Sequence, residues 1–217
     1  MKKGRKRGYC LAAMLLILFV LWTVLVRFID VAPIGPQGSS VGFSTLNGKI
    51  HAITGVNLLL YTITDWLGLV PIAVAFAFAV LGLCQWIGRG SVRRVDSDIL
   101  ALGAFYVAVM AAYVLFEYVV INYRPVLIDG RLEASYPSST TLLVLTVMPA
   151  AMLDLWGRIR HRVLRYSAIS LMGAFTVFMV VGRFVSGVHW CTDIIGGALL
   201  SAALVCAYAT TACVKRA

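Results

Sequence analysis

Three ionisable side chains lie close together between two apolar stretches near the end of the chain: Arg183, His189 and Asp193. Such groups are costly at the edge of a bilayer unless they bind or react with something. His189 and Asp193 are four residues apart, so a helix would place them on one face. The carboxylate could then hold one ring nitrogen and leave the other free as a nucleophile, a base or a metal ligand.

Two further polar stretches suit the same chemistry. Arg124 ends one apolar stretch, and the run Ser138, Ser139, Thr140, Thr141 begins the next. Guanidinium groups match phosphate oxygens, and the amides at a helix N-terminus attract anions. With an oriented histidine, these groups predict phosphoryl transfer through a phosphohistidine. A single His and Asp fall short of a metal site, so we expect no metal and no other cofactor.

The elements that carry these residues are apolar. Of the 217 residues, 61% are hydrophobic and 13% are charged, and a soluble domain has about twice that charged share. We predict an all-α membrane protein, a single domain over residues 1–217, with spans at 9–28, 66–87, 99–122, 138–156, 166–181 and 190–213. The first span does not end in small residues, which argues against a cleaved signal peptide. The mixed pattern of residues 49–65 predicts an interfacial helix between the first two spans.

The basic residues indicate the topology. The net charge is +10, and fourteen of the nineteen lysines and arginines lie at the two termini and in the 89–98 and 157–165 connections. Six spans place these four segments on one side, which the positive-inside rule makes cytoplasmic. The surplus of basic residues therefore indicates the orientation of the chain in the membrane and not nucleic-acid binding. The three polar stretches then face outside, and the compact chain with its basic N-terminus suggests a bacterial cytoplasmic membrane.

At this point the motifs resemble those of the type 2 phosphatidic acid phosphatase superfamily, which are integral lipid phosphate phosphatases with six helices that act without metal. That family has Lys-x6-Arg-Pro, then Pro-Ser-Gly-His, then Ser-Arg-x5-His-x3-Asp. This chain has Arg124-Pro125, then Pro137-Ser138-Ser139-Thr140, then Gly182-Arg183-x5-His189-x3-Asp193. The resemblance runs from about residue 66 to the C-terminus, with the motifs inside residues 99–200. The third motif is the most specific.

The resemblance implies a role for each matching residue. Arg124 and Arg183 would hold phosphate oxygens, and Ser138, Ser139 and the following amides would cradle the phosphoryl group. His189 would be the nucleophile and Asp193 its orienting partner.

The chain also departs from the family pattern. Glu117 stands where the family has its lysine, and Thr140 stands where the family has a second histidine that protonates the leaving oxygen and then activates water. Gly182 replaces a serine and Ser139 a glycine. A threonine hydroxyl does not titrate near neutral pH and cannot replace that acid. Glu117 could act as an acid if it is protonated, and it would repel phosphate if it is ionised.

Two functions follow from these motifs. The first is a lipid phosphatase or phosphotransferase that favours polyprenyl diphosphates such as undecaprenyl diphosphate, because a phosphate leaving group needs less protonation than an alkoxide. The second is a catalytically impaired relative that binds a phospholipid or polyprenyl phosphate. The membrane lipid is the expected partner in both, and the sequence does not indicate an oligomeric state. A structural alternative stays open, in which the arginines are interfacial anchors and Asp193 is the first-turn acid of the last helix.

Overall fold

The computed structural model describes residues 2–215, with the environments of side chains 4–212. Lys2, Lys3, Lys215 and Arg216, which contribute to the predicted topology, lie outside the described side chains. Within the described part the chain forms eight α-helices: α1 Lys2–Phe28, α2 Ser44–Thr54, α3 Leu58–Leu67, α4 Leu69–Arg89, α5 Ser97–Tyr118, α6 Ser139–Arg158, α7 Arg162–Val185 and α8 Cys191–Lys215.

Six helical stretches in the described residues are long and apolar enough to cross a membrane, as predicted: Gly4–Phe28, Leu58–Arg89, Ser97–Tyr118, Ser139–Arg158, Arg162–Val185 and Cys191–Ala212. The prediction of an all-helical integral membrane protein is therefore confirmed. The second span begins earlier than expected, because α3 runs into α4 through Gly68. The helix that lies between the first two spans is α2, and its position at the membrane interface stays a prediction.

Helix α6 is the centre of the bundle and contacts α4, α5, α7 and α8. It has the lowest mean hydropathy of the six spans and the largest buried share. Close helix packing explains both, because Ala150 and Ala151 are fully buried against Leu102 and Val109 of α5 and its neighbours. Within a membrane the hydrophobic effect does not drive helices together, and small residues allow the close backbone approach that packing requires. Helix α1 packs along α8 on the other side.

The connections meet at two ends of the bundle. We call the end formed by residues 29–43, 119–138 and 186–190 the site end, because it carries His189. At the opposite end Asp96 pairs with Arg89 at 2.7 Å, and Arg158 pairs with Asp98 at 2.7 Å. The hydrogen bond from Arg89 is the main reason that the pKa of Asp96 is lowered from its ordinary value. These pairs join the ends of α4, α5 and α6.

The site end depends on one close approach between two turns. Gly187 follows α7 with a φ of +67°, and a Cβ at this position would lie 1.8 Å from the carbonyl oxygen of Gly55. The Asn57 amide donates to the Ser186 carbonyl at 2.9 Å, so the α2–α3 turn rests directly on the α7–α8 turn. Only glycine satisfies both the left-handed backbone and the lack of space.

We expect Gly187→Ala to destabilise the protein by at least about 2 kcal/mol, because the left-handed conformation costs a side chain roughly 1–2 kcal/mol and the clash adds to it. The matched control is Gly88→Ala in α4, where a Cβ meets no atom within 4 Å. That change should be neutral or slightly stabilising. Thermal unfolding in detergent measures both. Equal melting temperatures for the two variants would contradict the packing at Gly187.

The predicted orientation has a direct test in intact cells. In a background without the native cysteines, we expect Ser40→Cys at the site end to react with a membrane-impermeant maleimide. Arg160→Cys at the opposite end should react only after the membrane is opened. Both native side chains are exposed, so access to the reagent decides the result. Labelling of Arg160→Cys in intact cells would contradict the predicted orientation.

Candidate phosphate site

His189 lies in the buried turn between α7 and α8, two residues before α8 begins at Cys191. Its Nδ1 lies 3.1 Å from the carbonyl oxygen of Ser135, and its Nε2 lies 3.2 Å from Nη1 of Arg124. A carbonyl only accepts and a guanidinium only donates, so these partners assign the proton to Nδ1. The lone pair on Nε2 therefore faces the arginine. This is the form of the imidazole that can attack phosphorus.

The surroundings of His189 keep the ring neutral. Burial lowers the pKa of His189 well below its ordinary value, and the positive charges of Arg124 and Arg183 lower it further. A neutral ring is the nucleophilic form, so the same groups that suit an anion also keep the nucleophile unprotonated.

Asp193 is placed differently from the sequence expectation. His189 precedes α8, so the two side chains do not share a helix face, and the distance from Nδ1 of His189 to Oδ2 of Asp193 is 3.8 Å. The carboxylate instead accepts the backbone amide of Trp190 at 2.9 Å, as a first-turn acid does at a helix N-terminus. The nearer partner of the ring is the Ser135 carbonyl. The role of Asp193 in orienting His189 stays a prediction.

Two buried asparagines hold this turn in place, and the sequence analysis did not find them. Asn122 donates to Oδ1 of Asp193 at 3.4 Å, and its carbonyl accepts the Ser135 amide at 2.9 Å. Asn47 of α2 donates to Oγ1 of Thr192 at 3.0 Å. Neither asparagine belongs to a spaced motif, so the only signal in the sequence was a polar residue in an otherwise apolar surrounding.

Arg183 lies in the last turn of α7 and its guanidinium contacts α3. It donates to Oδ1 of Asp65 at 2.9 Å, to Oγ1 of Thr64 at 3.3 Å and to the carbonyl of Tyr61 at 3.3 Å. The guanidinium also lies over the Tyr61 ring, 4.7 Å from its centroid. Helix α3 thus holds the second arginine beside the histidine.

Arg124 also lies near this ring, 6.0 Å from the Tyr61 centroid. Its Nε lies 3.0 Å from Oε2 of Glu133, close enough for an ion pair but not aligned as a hydrogen bond. Tyr61 therefore lies within 6.0 Å of both guanidinium groups. Sequence analysis had assigned no role to this tyrosine.

Both arginines keep an unused donor. Among the described side chains, the Nε–H groups of Arg124 and Arg183 are buried and have no hydrogen-bond acceptor. Buried donors without partners are rare in proteins and call for an explanation. An anion bound between the two guanidinium groups would supply the missing acceptors.

The start of α6 contributes Ser138 and Ser139 to the surroundings of His189. Ser138 is the N-cap of α6 and accepts from the hydroxyl of Thr141 at 3.0 Å, and its own amide donates to the Asp193 carbonyl at 3.1 Å. Ser139 lines a narrow cavity together with His189 and Glu117. Thr140 is buried and is not among the residues that line this cavity. The structure thus brings Glu117 to the histidine, and the hydroxyl of Ser138 is used by its own helix.

The lowered pKa of His189 predicts how stability depends on pH. Below about pH 6.5 the unfolded chain binds a proton at this residue and the folded chain does not. The contribution of His189 is therefore complete above that pH and is lost as the pH falls, by at most about 1.4 kcal/mol per pH unit. Thermal unfolding of the native protein and of His189→Gln, at about pH 7.5 and about pH 5.5, measures the difference. The same loss in both proteins would contradict the assignment.

Comparisons with known proteins bear on the fold. No protein-family model and no curated protein matches this sequence. One solved structure does match, the crystal structure of the first transmembrane PAP2 type phosphatidylglycerolphosphate phosphatase from Bacillus subtilis, with a TM-score of 0.52 and 15% identity over 94% of this chain and 96% of that chain. At this identity the likeness shows the fold alone. The chain therefore has the fold of a PAP2-type membrane phosphatase.

Proposed function

We propose that this protein is a membrane lipid phosphatase that removes phosphate from a lipid phosphate or a polyprenyl diphosphate at the external face. The single observation that supports this most is the geometry of His189. A buried, neutral imidazole presents the lone pair of Nε2 towards Arg124 at 3.2 Å, and a second arginine adds positive charge to the same place. A PAP2-like fold supports the same conclusion.

Arg124 donates to the lone pair of Nε2 in this structure, so its Nη1 first turns to a phosphoryl oxygen of the substrate. Nε2 of His189 then attacks phosphorus. The bond from phosphorus to the leaving oxygen breaks, and its electron pair goes to that oxygen. Arg124 and Arg183 hold the phosphoryl oxygens, and their unused Nε–H groups take part of the charge that develops there. The mechanism needs no metal, because the two guanidinium groups supply the positive charge.

The bound anion must first displace two carboxylates. Asp65 pairs with Arg183 and Glu133 pairs with Arg124. The side chains of the arginines are 2% and 10% exposed, whereas those of Asp65 and Glu133 are 55% and 40% exposed. The acids can therefore turn into water while the guanidinium groups stay in place. The phosphate oxygens replace the carboxylates as partners, so neither buried guanidinium is left without a counter-charge during the exchange.

The leaving group favours a diphosphate substrate. Thr140 stands at the family's second histidine and cannot protonate a leaving oxygen. A lipid alkoxide leaves poorly without a proton, whereas a phosphate released from a diphosphate leaves readily. Undecaprenyl diphosphate should therefore react faster than phosphatidic acid.

The test is phosphate release by the purified protein in detergent without added metal, on phosphatidic acid, phosphatidylglycerophosphate and undecaprenyl diphosphate. We expect release from the diphosphate, and a loss of roughly a thousandfold or more in His189→Ala, because the covalent route is removed. The matched control is His161→Ala, which removes an exposed histidine at the opposite end of the bundle and should leave activity unchanged. Equal rates on phosphatidic acid and on the diphosphate would contradict the leaving-group argument.

A non-catalytic lipid-binding protein is the second candidate, and the replacement of the family's second histidine by Thr140 favours it. No release from any of the three lipids, with binding of a polyprenyl phosphate that is lost in Arg183→Gln, would establish that function instead. The same result would overturn the phosphatase.

A further inference from the structure

We propose that Glu117 is the general base of the second half of the reaction, the residue that activates water to hydrolyse the phosphohistidine. This inference rests on the proposed phosphatase function and deepens it. It replaces one role of the family's second histidine by a residue from a different helix, α5.

One narrow cavity is lined by both Glu117 and His189. Glu117 lies in the last turn of α5, and its side chain lines the same narrow cavity as His189 and Ser139. The cavity has room for at most about one water molecule. Ser139, a glycine in the family pattern, adds a hydroxyl that can hold that water. The cavity is thus lined by a nucleophile, a carboxylate and a hydroxyl.

Glu117 differs from the other acids of the site because it is not engaged by a cation. Asp65 is paired with Arg183 and Glu133 with Arg124. In the described part of the chain no salt bridge involves Glu117, and Tyr113 lines the same cavity, where its phenol can donate to the carboxylate without neutralising it. A carboxylate in this state can accept a proton from water.

The second step balances with these groups alone. Glu117 takes a proton from water while the water oxygen bonds to the phosphorus held on Nε2 of His189. The phosphorus–nitrogen bond breaks, and its electron pair returns to Nε2. Inorganic phosphate leaves, and Glu117 releases its proton to solvent through its exposed side. The ring is again neutral and the cycle can repeat.

The same carboxylate explains why the two halves of the reaction have different needs. The proposed role of Glu117 as a base serves the hydrolysis step and not the protonation of the first leaving group. A diphosphate substrate requires no such protonation, which makes the two proposals consistent. The negative charge also weakens the binding of an anionic substrate, and its removal should therefore lower KM while it lowers kcat.

The experiment uses rapid-quench kinetics of the full-length protein with undecaprenyl diphosphate carrying a radioactive terminal phosphate. In Glu117→Gln we expect one burst of product per protein, an acid-labile phosphoprotein that accumulates, and a steady-state kcat lower by about a hundredfold. Addition of formate to Glu117→Ala should restore turnover, because the small carboxylate can enter the space left by the side chain. The matched control is Tyr118→Phe, an exposed neighbour outside the cavity, which should behave as the native protein.

The outcomes separate the two proposals. A burst and label in Glu117→Gln, with rescue of Glu117→Ala by formate, support the base; a merely structural role would give neither. Native turnover in Glu117→Gln without accumulated label overturns the role of Glu117 and leaves the phosphatase standing. No turnover in the native protein overturns both. Melting temperatures of the variants show whether each is folded, and the formate rescue stands even if kcat of Glu117→Ala is very low.

Discussion

The hydrogen bond between Nδ1 of His189 and the carbonyl of Ser135 is the interaction on which the rest of the site depends. It fixes the ring proton on Nδ1 and so directs the lone pair of Nε2 towards Arg124. A buried imidazole that turned over would lose both partners, and an unsatisfied buried polar group costs roughly 1–3 kcal/mol. Asn122 contacts the Ser135 backbone, and Asn47 contacts the start of α8. These contacts hold the carbonyl and the ring in position.

Positive charge at the site is buried, whereas the negative charge that balances it is exposed. Arg183 and Arg124 both lie near Tyr61, and their carboxylate partners, Asp65 and Glu133, are about half in water. Each of the two guanidinium groups therefore has a counter-charge in this structure. The exposed carboxylates are the partners that the proposed phosphate substrate would replace.

Glu117 at the end of α5 lines a cavity with His189, whereas Thr140 at the start of α6 is buried and does not line it. The two residues therefore have different surroundings, although both stand at motif positions of the resemblance. The proposal assigns the activation of water to Glu117, and the proposed preference for a diphosphate removes the need for an acid in the first step.

The sequence by itself determined the six spans, the two ends of the bundle and which polar residues meet at one of them. These properties are local or additive: a run of apolar residues is long enough to cross a bilayer, and the parity of the spans sets which connections share a side. The resemblance of three motifs added the roles expected for Arg124, Arg183 and His189.

The tertiary structure alone decided which atoms are in contact. It replaced Asp193 by the Ser135 carbonyl as the nearest partner of His189, joined α3 to the second span, and gave Asn47, Asn122 and Tyr61 their places around the turn. It also placed Glu117, and not Thr140, at the cavity. Apart from the continuous α3–α4 span, these contacts join residues that are more than fifty positions apart, and they follow from how the helices pack. Hydrophobic periodicity and motif spacing carry no information on distances of a few ångströms between such distant side chains.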